Sequence, residues 1–546
     1  MTDGASAWAR RAPFVAAAVA LLVHLPSLGG GFIYDDVPTV LDNRSIRDLG
    51  QLGSVLRYEP SRPFLGLTWA LNYAVAGATP WPYHLVNVLI HAANAALVAS
   101  LFLWMASRGR PRPHLTALWG GCLFAATPMA AETVAYVASR STALASLLGL
   151  ASLRLAVGCL EAASPRRLAA ALGCFALALA TKEEAACIPL LLLLLDYFFV
   201  AAQRVPDLVR RWTVHAPFLA LPLLGLLGRR AATGAWLPPA ALDPARFVAT
   251  QIAAFCGYFL RALFPIDPAF YRGQPAAPWP PDAPTLLGWA ATLMLIAAAI
   301  YGRRRWPDWS LAVAWLAAGL LPSSSIVALK EMVVDHRAYL GSAGVHFAVA
   351  GLLARAPNIW PAVSLVTLLG LRAVQYEQVL ADPVRAWQDA VRRAPGASEA
   401  RLGLGEAYAA RGDSRAEEEL RHAVVLDRRS AMAWTNLGAF YVETGRLPEA
   451  QSAMRRAAEE APWDARIRDN LGLILERLGR EDEAMAEYEA AAAGSPPLVQ
   501  PRIRLAYLLI RRGQSDRAAA LLTEAAALEL DAEDARAIEA LRARLR

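Results

Sequence analysis

The chain is 546 residues long and 56% hydrophobic, with 54 basic against 47 acidic residues and a mean hydropathy of +0.32. That length leaves room for several domains, and that hydropathy excludes an ordinary soluble chain. The basic excess lies in short loops between apolar runs, so it points to anionic lipid and excludes nucleic-acid binding. Cys122, Cys159, Cys174, Cys187 and Cys256 all fall in apolar runs without CxxC or ligand spacing, which excludes a disulfide framework and a zinc site.

Apolar runs near the length of a bilayer crossing start at about Ala12, Leu85, Leu115, Thr142, Leu168, Ala185, Trp212, Leu286, Ser310, Ala338 and Ile359. The first follows Arg10 and Arg11 with no convincing cleavage site after it, so it reads as a retained anchor. Arginines of Arg108–Arg112, Arg166/Arg167, Arg204–Arg211, Arg303–Arg305 and Arg355 fall on alternate loops and mark the cytoplasmic side. That pattern holds if residues 247–264 do not cross. About eleven crossings then put the amino terminus inside and the polar tail outside.

The first run ends in Gly29-Gly30-Gly31-Phe32-Ile33-Tyr34-Asp35-Asp36, two adjacent acids with no basic neighbour until Arg44. Carboxylates beside hydrocarbon are functional candidates. The loop they open, residues 29–64, carries Asp42, Asn43, Arg62-Pro63 and a short amphipathic stretch at Leu49–Leu56. It reads as a folded layer on the membrane surface. In the second run His84, Asn87, His91 and Asn94 recur at helical spacing as one polar stripe. The expectation is that this stripe faces a wet cavity on the side of Asp35.

Further polar groups fall on the same outer side: Glu132 with Arg140, Thr181-Lys182-Glu183-Glu184, Lys330-Glu331 and Asp335-His336-Arg337. Lys182 and Lys330 are the only lysines in the chain, each followed by Glu. A compact ammonium differs from guanidinium in reach, so both are candidates to meet phosphate or carboxylate. There is no P-loop, GxGxxG after a strand, HExxH or nucleophile elbow. A transferase working on this side needs a membrane-borne donor.

From Ala381 the chain turns polar, with 25 arginines, no lysine and 28 of the 47 acids, net −3. Trp434, Leu437, Gly438, Tyr441, Gly445, Ala450, Met454 and Ala457 fit the tetratricopeptide (TPR) template. Leu471, Gly472, Leu475, Gly479, Ala484 and Tyr488 repeat it, as do Leu505, Ala506, Leu509, Gly513, Ala518 and Leu522, while Leu404, Gly405, Tyr408 and Gly412 begin an earlier copy. Stacked helix pairs of this kind present a groove to a peptide or protein partner.

With these pieces assembled, the chain resembles the transmembrane and tetratricopeptide-repeat O-mannosyltransferases and their bacterial relatives in the GT-C glycosyltransferase superfamily. The matching stretches, in the family's order, are Phe32–Asp36, Ser61–Phe64, Leu71-Asn72-Tyr73, Tyr83–His91, Glu132–Arg140 and Thr181–Glu183 leading through Pro189 to Asp196, followed by the repeats. Where relatives often read His-Pro-Val-His-Thr-Glu, this chain has Thr127-Pro128-Met129-Ala130-Ala131-Glu132.

The resemblance implies an all-α fold: a GT-C-type multi-span membrane domain over residues 1–375, then a TPR domain over 382–546. It implies transfer of a sugar, typically mannose, from a polyprenyl-phosphate donor to a protein hydroxyl with inversion. The site would lie on the outer face of a bacterial cytoplasmic membrane. Asp35 or Asp36 would be the catalytic base, and Arg140, Lys182 or Arg337 would meet the departing phosphate. Arg62, His84, Asn87, His91, Glu132 and Glu183 would line the substrates. No cofactor follows from these residues; a divalent metal is left open. Two further readings are a non-catalytic TPR scaffold for envelope proteins and a transferase directed at lipid or polysaccharide.

Overall fold

The computed structural model describes residues 3–234, 243–326, 331–495, 497–528, 530 and 532–545. These are all-helical, with no strand among them. Two compact units divide at 393/394, so the helix Pro383–Arg393 belongs to the first unit.

Each apolar run of the first unit holds a helix. The helices Asp3–His24, Pro80–Ala106 and Pro113–Ala126 pack on one another, and small residues allow it. A Cβ at Gly121 would sit 2.7 Å from the Cβ of Ala99 and 2.9 Å from that of Ala16. Close backbone approach through small side chains is how helices associate where no hydrophobic force separates lipid from protein.

Among the described residues, four helical stretches, Ala7–Gly29, Pro80–Ala106, Val137–Glu161 and Ala283–Gly302, are long and apolar enough to cross a membrane. Others are too short on their own: Pro113–Ala126 has 14 residues, about 21 Å at 1.5 Å per residue. Helix length therefore supports a membrane protein without carrying the full count of crossings. Residues 244–263 form one helix that is not among the four.

The first loop is folded, with its own core of Val40, Ile46, Val55, Leu65, Trp69 and Tyr83. Its helix runs Leu52–Tyr58, slightly later than the amphipathic stretch suggested. A second helix, Pro63–Ala76, starts where proline at N1 favours it.

The second unit stacks four helix pairs, Ser398–Ala409 with Arg415–Leu426, Ala431–Glu443 with Leu447–Glu460, Ala465–Arg477 with Glu481–Ala492 and Val499–Arg511 with Ser515–Ala526, then Ala532–Leu545. Each pair turns at a glycine with positive φ: Gly412, Gly445, Gly479 and Gly513, between +67° and +76°. The residue after each glycine donates its N–H back into the helix, as Arg480 does to the Leu475 carbonyl at 2.9 Å. This is the left-handed cap that ends helices with no Cβ penalty.

Candidate functional site

The two acids of the first loop separate completely. Tyr34 adopts φ +48°, a strained position for a non-glycine residue, and the turn it makes points its neighbours apart. Asp36 is fully buried. Its Oδ1 accepts the Ala138 N–H at 2.6 Å and its Oδ2 accepts the Ile33 N–H at 3.0 Å. Burial pushes its carboxyl up to about 7, against the lowering effect of those backbone donors. Asp35 is exposed, and its own N–H donates to the Tyr136 hydroxyl at 3.0 Å. Rings of Tyr34, Phe270, Tyr136 and Trp387 form an aromatic wall there, with Tyr34–Trp387 centroids 5.3 Å and Tyr136–Phe270 centroids 5.6 Å apart.

A charged cluster lies on the same side. Glu132 Oε1 and His336 Nδ1 are 2.6 Å apart, and among the described residues the buried Glu132 Oε2 has no hydrogen-bond partner. Burial holds the Glu132 carboxyl well above its ordinary range, with Asp335 adding to the rise and Lys182 and Arg272 opposing it. Burial likewise pushes the His336 imidazole down to about 4, and Lys182 and Arg337 push the same way. Asp335 is gripped by Arg272, with Nη2–Oδ2 at 2.7 Å, and by Arg261 at 3.2 Å. Lys182 Nζ donates to Thr142 Oγ1 at 2.7 Å and pairs with Glu184 at 3.2 Å. Arg337 donates to the carbonyls of Glu331 and Met332. Burial also raises Glu331, which feels His336, Glu132, Arg337 and Asp35 together. The exposed acid and the cluster therefore share one electrostatic neighbourhood. Beside it a cavity of about 20 Å³ is lined by Thr142, Ser146, Glu184 and Arg337 among others, room for little more than one water.

The polar stripe behaves otherwise than expected. His84, Asn87, His91 and Asn94 are all fully buried. Asn87, His91 and Asn94 bind neighbouring backbone and side chains, while both ring nitrogens of His84 are without a hydrogen-bond partner among the described residues. Asn87 Nδ2 donates to the Val134 carbonyl at 3.3 Å. His91 bridges the Tyr339 hydroxyl at 2.6 Å and the Ala125 carbonyl at 3.1 Å, and Asn94 donates to Tyr339 and to the Ala143 carbonyl. His84 packs under the glycine run, where a Cβ at Gly30 would lie 3.2 Å from its Nε2. Glycine is needed there for close approach.

Arg140 is also fully buried. It donates to Asn87 Oδ1 at 2.9 Å, Asn72 Oδ1 at 2.8 Å and the Tyr83 carbonyl at 3.0 Å, with its guanidinium 4.1 Å from the Trp69 ring centroid. The structure thus places it as a lock between the first-loop layer and the second span, away from the phosphate role the sequence suggested. Arg62 pairs with Glu183 at 3.1 Å and Glu59 at 3.4 Å, clamping the loop layer to the turn after Ala180. Lys330 lies outside the described residues. Among the described residues no three His, Cys, Asp or Glu side chains converge to hold a metal ion, so no step is assigned to one.

The sequence singles out His336 only as part of Asp335-His336-Arg337, with no role of its own, and does not mark Tyr136 or Arg272 as site residues. Tyr136 lies inside the stretch Glu132–Arg140. Arg272 sits in an irregular proline-rich segment where no periodicity marks it.

A tetratricopeptide repeat model matches residues 465–493. Protein O-mannosyl-transferase TMTC2 of Homo sapiens is 32% identical over 157 residues, covering 26% of this chain and 18% of that protein. Protein O-mannosyl-transferase Tmtc2 of Drosophila melanogaster is 31% identical over 258 residues, covering 43% of this chain and 22% of that protein. The matches thus span less than a quarter of the length of either relative. Among solved structures, that of MamA matches at 25% identity over 29% of this chain and 91% of its own, with a TM-score of 0.25. In sequence, the chain is related to the transmembrane and tetratricopeptide-repeat O-mannosyltransferases, the family its own motifs resemble.

Proposed function

We propose that the chain is a membrane glycosyltransferase of GT-C type, with about eleven crossings, that moves a sugar from a polyprenyl-phosphate carrier to a Ser or Thr hydroxyl of a protein. Mannose is the sugar its named relatives suggest. The reaction takes place on the outer side of a bacterial cytoplasmic membrane, where the repeats hold the acceptor. The observation that supports this reading is the exposed Asp35, whose N–H donates to the Tyr136 hydroxyl on the segment that carries Glu132, which in turn pairs with His336.

Asp35 takes the proton of the acceptor hydroxyl as its oxygen bonds to the anomeric carbon. The bond from that carbon to the carrier phosphate oxygen breaks, and its electron pair leaves with the phosphate. Lys182 and Arg337 supply positive charge to the departing group, an electrostatic contribution made where charge develops. Asp36 holds the turn, and the Glu132–His336 pair keeps the cluster's polar face in place.

The test uses the purified full chain in lipid nanodiscs with polyprenyl-phosphate-linked labelled mannose and a Ser/Thr-rich protein acceptor. Label should enter the protein fraction. Label found only in lipid would overturn the assignment of a protein acceptor. No transfer to either fraction, with partners still captured by the repeats, would favour a scaffold.

A further inference from the structure

The first-loop layer holds a partly open cavity of about 180 Å³ that the transfer step does not use. Thr39, Asn43, Ser45, Tyr58, Glu59 and Trp69 are in its wall. The Asn43 side chain is held in place, its Oδ1 accepting from the Ser45 N–H at 3.0 Å and hydroxyl at 2.6 Å. Glu59 lies 3.4 Å from Arg62. The Thr39 N–H donates to the Asp35 carbonyl at 3.1 Å, so the cavity begins one turn along the chain from the proposed base.

The lining selects a ligand class. Its one charged residue is a carboxylate and no basic side chain lines it, so it does not suit phosphate. The volume is well below the roughly 300–1,000 Å³ of pockets for drug-sized ligands, too small for an extended peptide and suited to one sugar ring. Two aromatic rings offer apolar faces with a polar edge. Hydroxyls, an amide and a carboxylate match a polyhydroxyl compound, the carboxylate through charge-assisted hydrogen bonds. We propose that this cavity is a saccharide subsite that seats one neutral hexopyranose. Its place beside Asp35, which rests on the transfer reading, and its lack of any basic residue make that ring a sugar already on the acceptor.

The test is saturation-transfer NMR of methyl α-D-mannopyranoside with the detergent-solubilised full chain, so that binding is read without turnover. Wild type should give saturation transfer. Glu59→Gln and Tyr58→Ala should each raise Kd about tenfold or more, with thermal melting close to wild type. Asp35→Asn should bind the sugar as wild type does even where it stops transfer, which separates failure of the subsite from failure of the enzymatic reading. Displacement of the glycoside by an O-mannosylated peptide, and not by the bare peptide, assigns the ring to the acceptor. Displacement by polyprenyl-phosphate mannose, and not by the O-mannosylated peptide, overturns that assignment. Absence of saturation transfer in wild type, or an unchanged Kd in both cavity variants, overturns the proposal.

Discussion

At Asp36, desolvation and two backbone donors act in opposite directions, and desolvation wins. The carboxyl rises from 3.8 to about 7, so the folded state favours its protonated form. Its contribution to stability is therefore full below about pH 4 and is lost as pH rises through about 7. Asp36→Asn should flatten that part of the pH dependence of melting in detergent. Asp36→Ala should destabilise the chain by about 2 kcal/mol or more, since the buried Ile33 N–H and the part-buried Ala138 N–H both lose their acceptor, at about 1–3 kcal/mol for a buried group. Asp35→Asn, on an exposed side chain, should shift melting far less than Asp36→Ala does. The sequence could nominate the acid pair but could not separate its members: adjacent identical residues differ only through the turn at Tyr34, whose positive φ no propensity announces. The polar stripe failed for a related reason. Helical spacing shows that His84, Asn87, His91 and Asn94 share a face, but a wet cavity and a neighbouring carbonyl give the same pattern.

Among the elements, the junction between the first-loop layer and the spans depends on Arg140. Its guanidinium satisfies acceptors from the helices Pro63–Ala76 and Pro80–Ala106 at once. Arg140→Met preserves the stem but leaves those acceptors buried without donors. It should cost about 3 kcal/mol or more, read as a lower melting temperature together with slower transfer. In the repeats, a Cβ at Gly472 would lie 2.6 Å from Tyr488 Cε1. Gly472→Ala should destabilise the second unit by about 1–3 kcal/mol through overpacking, measurable as an earlier transition in thermal unfolding. Such positions were legible beforehand, because a glycine recurring at a fixed period needs one physical reason for all its copies. The cluster around His336 and Arg272 was not, because tertiary contacts between irregular segments leave no period to read.

For the whole molecule, the chain joins an apolar first unit to a charged solenoid, and the proposed division of labour is chemistry in the first and acceptor capture in the second. Removing residues 394–546 should lower labelling of a folded protein acceptor by about 10²-fold through loss of effective concentration. Transfer to a short Ser/Thr peptide at high concentration should persist, measured as incorporated label. The repeats and the membrane character were plain in composition and periodicity. The link from Asp35 through Tyr136 to the Glu132–His336 pair required the fold. The central claim, that Asp35 is the base, is tested most directly by the initial rate of labelled mannose transfer in nanodiscs for wild type and Asp35→Asn. The predicted result is a fall of about 10²–10⁴-fold with donor binding retained, and an unchanged rate would contradict it.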